Sequence, residues 1–124
     1  MLPLEISDEE NLYRGITKQP QLWKDAQDRP SSAAFKDSNG VSVDRGGDRG
    51  ETEVVDFLVS RFELRAVVYV NAAYCRAIET SPIAKPLDNN PYHAEIHNID
   101  RVELTASKAK KLARECVVVA KNEA

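Results

Sequence analysis

The chain has 124 residues, 42% apolar and 30% charged, with a formal net charge of −3. That length suits one domain and is too short for two ordinary ones, and the balance lies well away from disordered chains. A mild acidic excess argues against general nucleic-acid binding, which needs a basic surface to neutralise phosphates. No apolar run approaches the roughly 18 residues of a spanning helix, and Met1-Leu2-Pro3-Leu4-Glu5 lacks the basic and apolar regions of a leader. The expectation is a single cytoplasmic domain over residues 1–124 that does not enter a membrane.

Residues 1–11 are polar and acidic and read as a loose lead-in. Leu12-Tyr13-Arg14-Gly15-Ile16-Thr17 is a short β-branched run that suits a first strand. Residues 18–32 carry Pro20 and Pro30 and read as loop, with a turn of helix around Trp23. Ala33-Ala34-Phe35-Lys36 and Val41-Ser42-Val43-Asp44 then flank Asp37-Ser38-Asn39-Gly40. Two short runs around an Asn-Gly turn predict a β-hairpin over about 33–44. Residues 45–51, with three glycines, predict a flexible loop.

Thr52 can cap a helix to about Phe62, with Val54, Val55, Leu58 and Phe62 on one face. Leu64 to Val70 is almost wholly apolar, as in a strand buried on both sides. Asn71 can cap a short helix through Ile78, and residues 80–92, with three prolines, read as loop. His93 to His97 alternates as a strand does. Thr105 caps the strongest predicted helix, in which Ala109, Leu112, Ala113, Cys116, Val117 and Ala120 share a face. Lys108, Lys110, Lys111 and Arg114 form its wet side. The order predicts an α+β domain: a small mixed sheet with about three helices mainly on one side. Cys75 and Cys116, on apolar helix faces, are expected as buried free thiols.

Three stretches could carry chemistry. His93, Glu95 and His97 fall on one face of their strand, and two imidazoles with a carboxylate can ligate zinc or iron. The pattern has low specificity, and the solvated face of an edge strand is preferred to a metal site. Arg29-Pro30-Ser31-Ser32 could offer hydroxyls, backbone N–H groups and a charge to an anion. The plainer alternative is that both serines brace a turn. A serine nucleophile would need a base, which His93 could supply only through the fold. The third stretch is Leu12-Tyr13-Arg14-Gly15. Arg14, Ser32 and Glu95, on an early strand, a second strand and a late strand, resemble faintly the Arg, Ser and Glu of ADP-ribosyltransferases. That resemblance implies a nicotinamide dinucleotide held by Arg14 and Ser32, with Glu95 orienting the ribose or acceptor. The chain is short for that fold, and few strands are evident.

A wider resemblance covers about residues 12–97. Leu12-Tyr13-Arg14, the run from Arg29 to Asp37, Val41-Ser42-Val43-Asp44 and Asn90-Pro91-Tyr92-His93-Ala94 look like those of a group of small bacterial hypothetical proteins of unassigned function. It implies a bacterial or phage origin and a stand-alone domain, but no activity. If the shared positions act together, Arg14, Arg29, Ser31, Ser32, Asp37 and His93 gather at one pocket. The leading expectation is a module that binds a small molecule or protein through Arg29, Ser31, Ser32, Asp37 and His93. The alternative is a small enzyme using Arg14, Ser32, His93 and Glu95, ADP-ribosyltransferase-like or metal-dependent. No cofactor is predicted.

Overall fold

The computed structural model describes residues 2–122. Its strands are β1 (Asn11–Thr17), β2 (Trp23–Lys24), β3 (Arg29–Pro30), β4 (Val41–Arg45), β5 (Leu64–Asn71), β6 (Thr80–Ala84), β7 (His93–Asn98) and β8 (Val117–Lys121). The α-helices are α1 (Glu51–Arg61), α2 (Ala72–Ala77) and α3 (Ala106–Glu115). Six strands form one sheet in the order β6-β7-β4-β1-β5-β8, and β2 and β3 make a separate hairpin. The domain is therefore α+β.

Every pairing in the large sheet is antiparallel, where a mixed sheet was expected. A parallel pair needs a crossover returning to a neighbouring strand. Here α2 leads from β5 to β6 at the far edge, and α3 leads from β7 to β8 at the opposite edge, so neither connection makes one.

Strand alternation divides the side chains between two layers. Leu12, Ile16, Val68 and Ile96 face a core closed by α2, α3 and the 3-10 turn Ser32–Phe35, where Phe35 and Leu112 are fully buried. Tyr13, Leu64 and Val67 face the other way, against Val54 and Leu58 of α1. β5 is therefore almost wholly apolar, because both of its faces are covered. Two of the three helices share a side, and α1 takes the reverse.

Two helix starts follow the sequence reading. The Asn71 side chain accepts from the Ala73 N–H and the Thr105 hydroxyl from the Lys108 N–H, satisfying donors that a helix start leaves open. α1 instead starts two residues early, capped at Gly50 rather than Thr52.

Other expectations are corrected. No hairpin forms over 33–44, because Ala34 and Phe35 coil into the 3-10 turn and sink into the core, while β4 pairs with β1 and β7. The hairpin lies earlier, with Trp23 opposite Pro30, and the helical turn precedes Trp23 at Pro20–Leu22. Residues 80–84, expected as loop, form edge strand β6, with Pro82 opposite Ile96; an edge tolerates proline. The last helix stops at Glu115, and Val117–Lys121 pairs with β5 instead. Three consecutive valines are stiff at χ1 and favour a strand over further helix. The lead-in is pinned. Ile6 is buried, and Glu10 receives a two-point bond from Arg45 at 2.7 and 2.9 Å, while Arg45 also donates to the Pro3 carbonyl. Met1 lies outside the described residues. Among those residues, no helix is long and apolar enough to cross a membrane.

Cys75 and Cys116 are buried free thiols. Burial pushes the Cys75 thiol from its ordinary 9.0 up to about 11. The native state then holds this proton more tightly than the unfolded chain, so the associated stability is complete below pH 9 and declines as pH climbs towards 11. Urea unfolding of wild type and Cys75→Ala across that window should show wild type losing stability faster. Parallel curves would contradict this assignment.

Candidate functional site

β1 and β4 share only two residue pairs, Leu12 with Arg45 and Tyr13 with Asp44. Continued in register, the ladder would bring Arg14 opposite Val43. The Arg14 side chain instead bridges the gap, its Nη1 donating to the Ser42 carbonyl at 2.6 Å and its Nε to the Ala34 carbonyl at 2.7 Å. The guanidinium thus satisfies the Ser42 carbonyl beyond the end of the strand pairing and the Ala34 carbonyl of the 3-10 turn. Desolvation lowers the Arg14 pKa from its ordinary value to about 10, against the opposing pull of Asp37, so the group remains cationic at neutral pH.

Above this gap is a cleft of about 460 Å³ between α1, the sheet and the segment before β7. Phe57, Leu58, Phe62 and Leu64 make an apolar wall, with Leu87 across from them. Gly15 keeps the base open for Leu64, whose methyl groups would lie 2.8 and 2.9 Å from any Cβ added there. Phe62 and Leu87 are about half exposed at 53% and 50%, so apolar surface reaches solvent at the mouth. The polar lining includes Arg14, Ser42, Asp44, Asn90 and His93.

Asp44 organises this polar side. It is only 5% exposed, and its two carboxylate oxygens accept from Arg49 Nη2 at 2.9 Å and Asn90 Nδ2 at 2.8 Å. Arg49 also donates to the Arg45 carbonyl at 2.6 Å and stacks on Tyr92, 3.6 Å from the ring centroid. Asn90 turns its own oxygen to the Tyr92 N–H at 3.0 Å, and the Tyr92 hydroxyl reaches Asp48 at 2.8 Å. One carboxylate therefore fastens the glycine-rich loop and the segment before β7 to the sheet.

His93, Glu95 and His97 do share a strand face, with Ala94 and Ile96 buried behind them. The His93 Nδ1 lies 3.0 Å from the Lys85 carbonyl, which can only accept, so Nδ1 carries the proton and Nε2 remains available. His97 Nε2 is 2.7 Å from Glu95 Oε1, above Gly40 (φ +99°), where a Cβ would stand 2.8 and 2.9 Å from those atoms. Among the described residues, no three His, Cys, Asp or Glu side chains are grouped to hold a metal ion.

The fold brings Arg14 and His93 to one cleft and sends the other candidates elsewhere. Ser32 and Arg29 line a second cavity, beside α3. Arg29 Nη2 donates to the carbonyls of Ala113, Arg114 and Cys116 at 3.2, 2.9 and 2.6 Å, closing the end of α3. Ser31 Oγ donates to the Gln21 carbonyl at 2.5 Å, a loop brace. Asp37 accepts from the Asn39 N–H at 2.8 Å in a turn. Glu95 is engaged with His97.

The cleft's Ser42, Asp44 and Asn90 were not singled out by the sequence reading, though they sit in its Val41–Asp44 and Asn90–Ala94 motifs. Those two motifs and Leu12-Tyr13-Arg14 meet here; the run from Arg29 to Asp37 contributes only the Ala34 carbonyl and the field of Asp37 on Arg14. No protein-family profile, curated protein or solved structure matches the chain.

Removing the Asp44 carboxylate would leave Arg49 buried without its anion. Asp44→Ala should cost about 3–5 kcal/mol of unfolding free energy, the range for breaking a buried pair on one side. In Asp44→Asn, which keeps an acceptor for Asn90, the loss should be smaller. Hydrogen exchange in both variants should speed up most over residues 46–50 and 87–92; uniform acceleration would argue against the fastening role.

Proposed function

We propose that this chain is a ligand-binding domain whose α1 cleft takes a small molecule with an apolar, ring-sized body and an anionic end. The observation that carries the reading is a cleft walled by Phe57, Leu58, Phe62 and Leu64 whose lining also includes Arg14, Ser42, Asn90 and His93. An apolar body would lie along Phe57, Phe62 and Leu87, with its charged end towards Arg14 and the amide of Asn90. Such a division, mostly apolar lining with a few converging polar groups, is typical of small-molecule sites. A carboxylate gains most from a guanidinium where water is largely excluded. A cytoplasmic setting goes with this reading, on the two buried thiols that remain unpaired.

A second reading rests on His93. Its Nδ1 is fixed by the Lys85 carbonyl, which orients the ring and leaves Nε2 to take or give a proton in the cleft that holds Arg14. A small enzyme would then use His93 as acid or base and Arg14 to stabilise developing negative charge. Ser32 and Glu95, which lie elsewhere, would have no part in it.

Binding is tested with benzoate and naphthoate against the matching neutral amides. The acids should raise the melting temperature in a saturable way, as ligands that bind only the native state do. They should also move backbone amide resonances over residues 57–64 and 87–93. Phe62→Ala, a change at an exposed rim position, should weaken the tighter acid about tenfold, equivalent to roughly 1.4 kcal/mol. Equal responses to acid and amide, or resonance shifts confined to other surfaces, would overturn the proposal.

A further inference from the structure

The second cavity, about 440 Å³, lies between the β2–β3 hairpin and α3. Four of its eight lining residues are cationic, Lys24, Arg29, Lys110 and Arg114, and none is acidic. This occurs in a chain with 17 basic and 20 acidic residues, so the concentration is local and runs against the overall balance. Two separate pieces of sequence, read apart as a turn and as the wet side of a helix, are folded face to face here.

We propose that this cavity is a binding site for a small polyanion carrying a diphosphate or an equivalent pair of phosphate groups. Lys24 and Lys110 are exposed, and among the described residues neither side chain has a hydrogen bond or ion pair, so both ammonium groups are available. Arg114 has one carboxylate neighbour, Glu115, at 3.8 Å, with both side chains more than half exposed, a geometry of little energetic weight. The carbonyl end of α3 would normally repel an anion. Arg29 removes that obstacle by donating to three of its carbonyls and sets its own charge at the cavity wall. Its Nε is buried with no partner. Ser32 and Gln27 add neutral donors to the same lining. Like charges held together in a concavity repel one another, and an anion bound among them relieves that repulsion. The site is independent of the α1 cleft and of what that cleft binds.

Calorimetry with the full chain, in low-salt buffer free of phosphate, provides the test, with inorganic pyrophosphate, ADP and adenosine as probes. Pyrophosphate should bind saturably, should weaken as salt rises, and should shift backbone amides at Lys24, Gln27 and Lys110. Lys24→Ala/Lys110→Ala, which removes two exposed side chains and leaves the Arg29 bonds in place, should weaken it at least tenfold with the melting temperature nearly unchanged. ADP binding no tighter than pyrophosphate would assign recognition to the diphosphate alone, and tighter ADP binding would extend the same site to a nucleotide. Adenosine binding as well as ADP, the double variant binding pyrophosphate like wild type, or no saturation below about 10 mM, which is already weaker than about 3 kcal/mol of binding, would each overturn the proposal.

Discussion

β1 and β4 run side by side for two residue pairs and then part, and most of what distinguishes the molecule follows from that separation. A sheet interrupted at its centre exposes backbone acceptors that must find donors. Arg14 supplies one through Nη1, to the Ser42 carbonyl of β4, and its Nε ties in the 3-10 turn through the Ala34 carbonyl. A cationic group is thereby fixed inside the sheet by the needs of the backbone. The cleft lies beside this gap, walled by Phe57 of α1 and by Phe62 just beyond its end.

The interruption also places unusual demands on the adjoining segments. β4 is held on its other side by four residue pairs with β7, and at its end by two buried arginines. Arg45 looks to Glu10 in the lead-in, and Arg49 to Asp44 on the strand itself. Each pair is almost free of solvent, and buried pairs of this kind stabilise only when the remaining polar atoms are also bonded. The Pro3 and Arg45 carbonyls and the Asn90 amide meet much of that requirement. The lining of the cleft and the support of the fold are consequently the same set of contacts, with Asp44 belonging to both.

How far the sequence revealed this depended on the range of the signal. β5 was legible because an almost wholly apolar run can satisfy two cores at once, and the caps at Asn71 and Thr105 were legible because a cap acts within three residues. Segments whose state depends on distant partners were not. Ala33–Phe35 looked like half of a hairpin, yet Phe35 is drawn into the core against α3. Val117–Val119 continued the helical pattern but found an open edge on β5. The site divided in the same way. His93, Glu95 and His97 were correctly placed on one face by simple alternation. The cleft itself was hidden, since its polar side joins Arg14, Asp44 and Asn90 across as many as 76 positions of sequence, and nothing local marks a strand pair that ends early.

Cys75 lies on the buried face of α2 and Cys116 at the end of α3; neither is bonded to the other, and both are shielded by packing. Cohesion here comes from burial and hydrogen bonding, with no covalent crosslink between the cysteines. The native architecture can therefore assemble in reducing or oxidising surroundings alike, and reductants in a preparation should be irrelevant to its integrity. Chemical labels aimed at sulfur will report unfolding events instead of surface accessibility, which makes the two residues built-in probes of how often the domain opens.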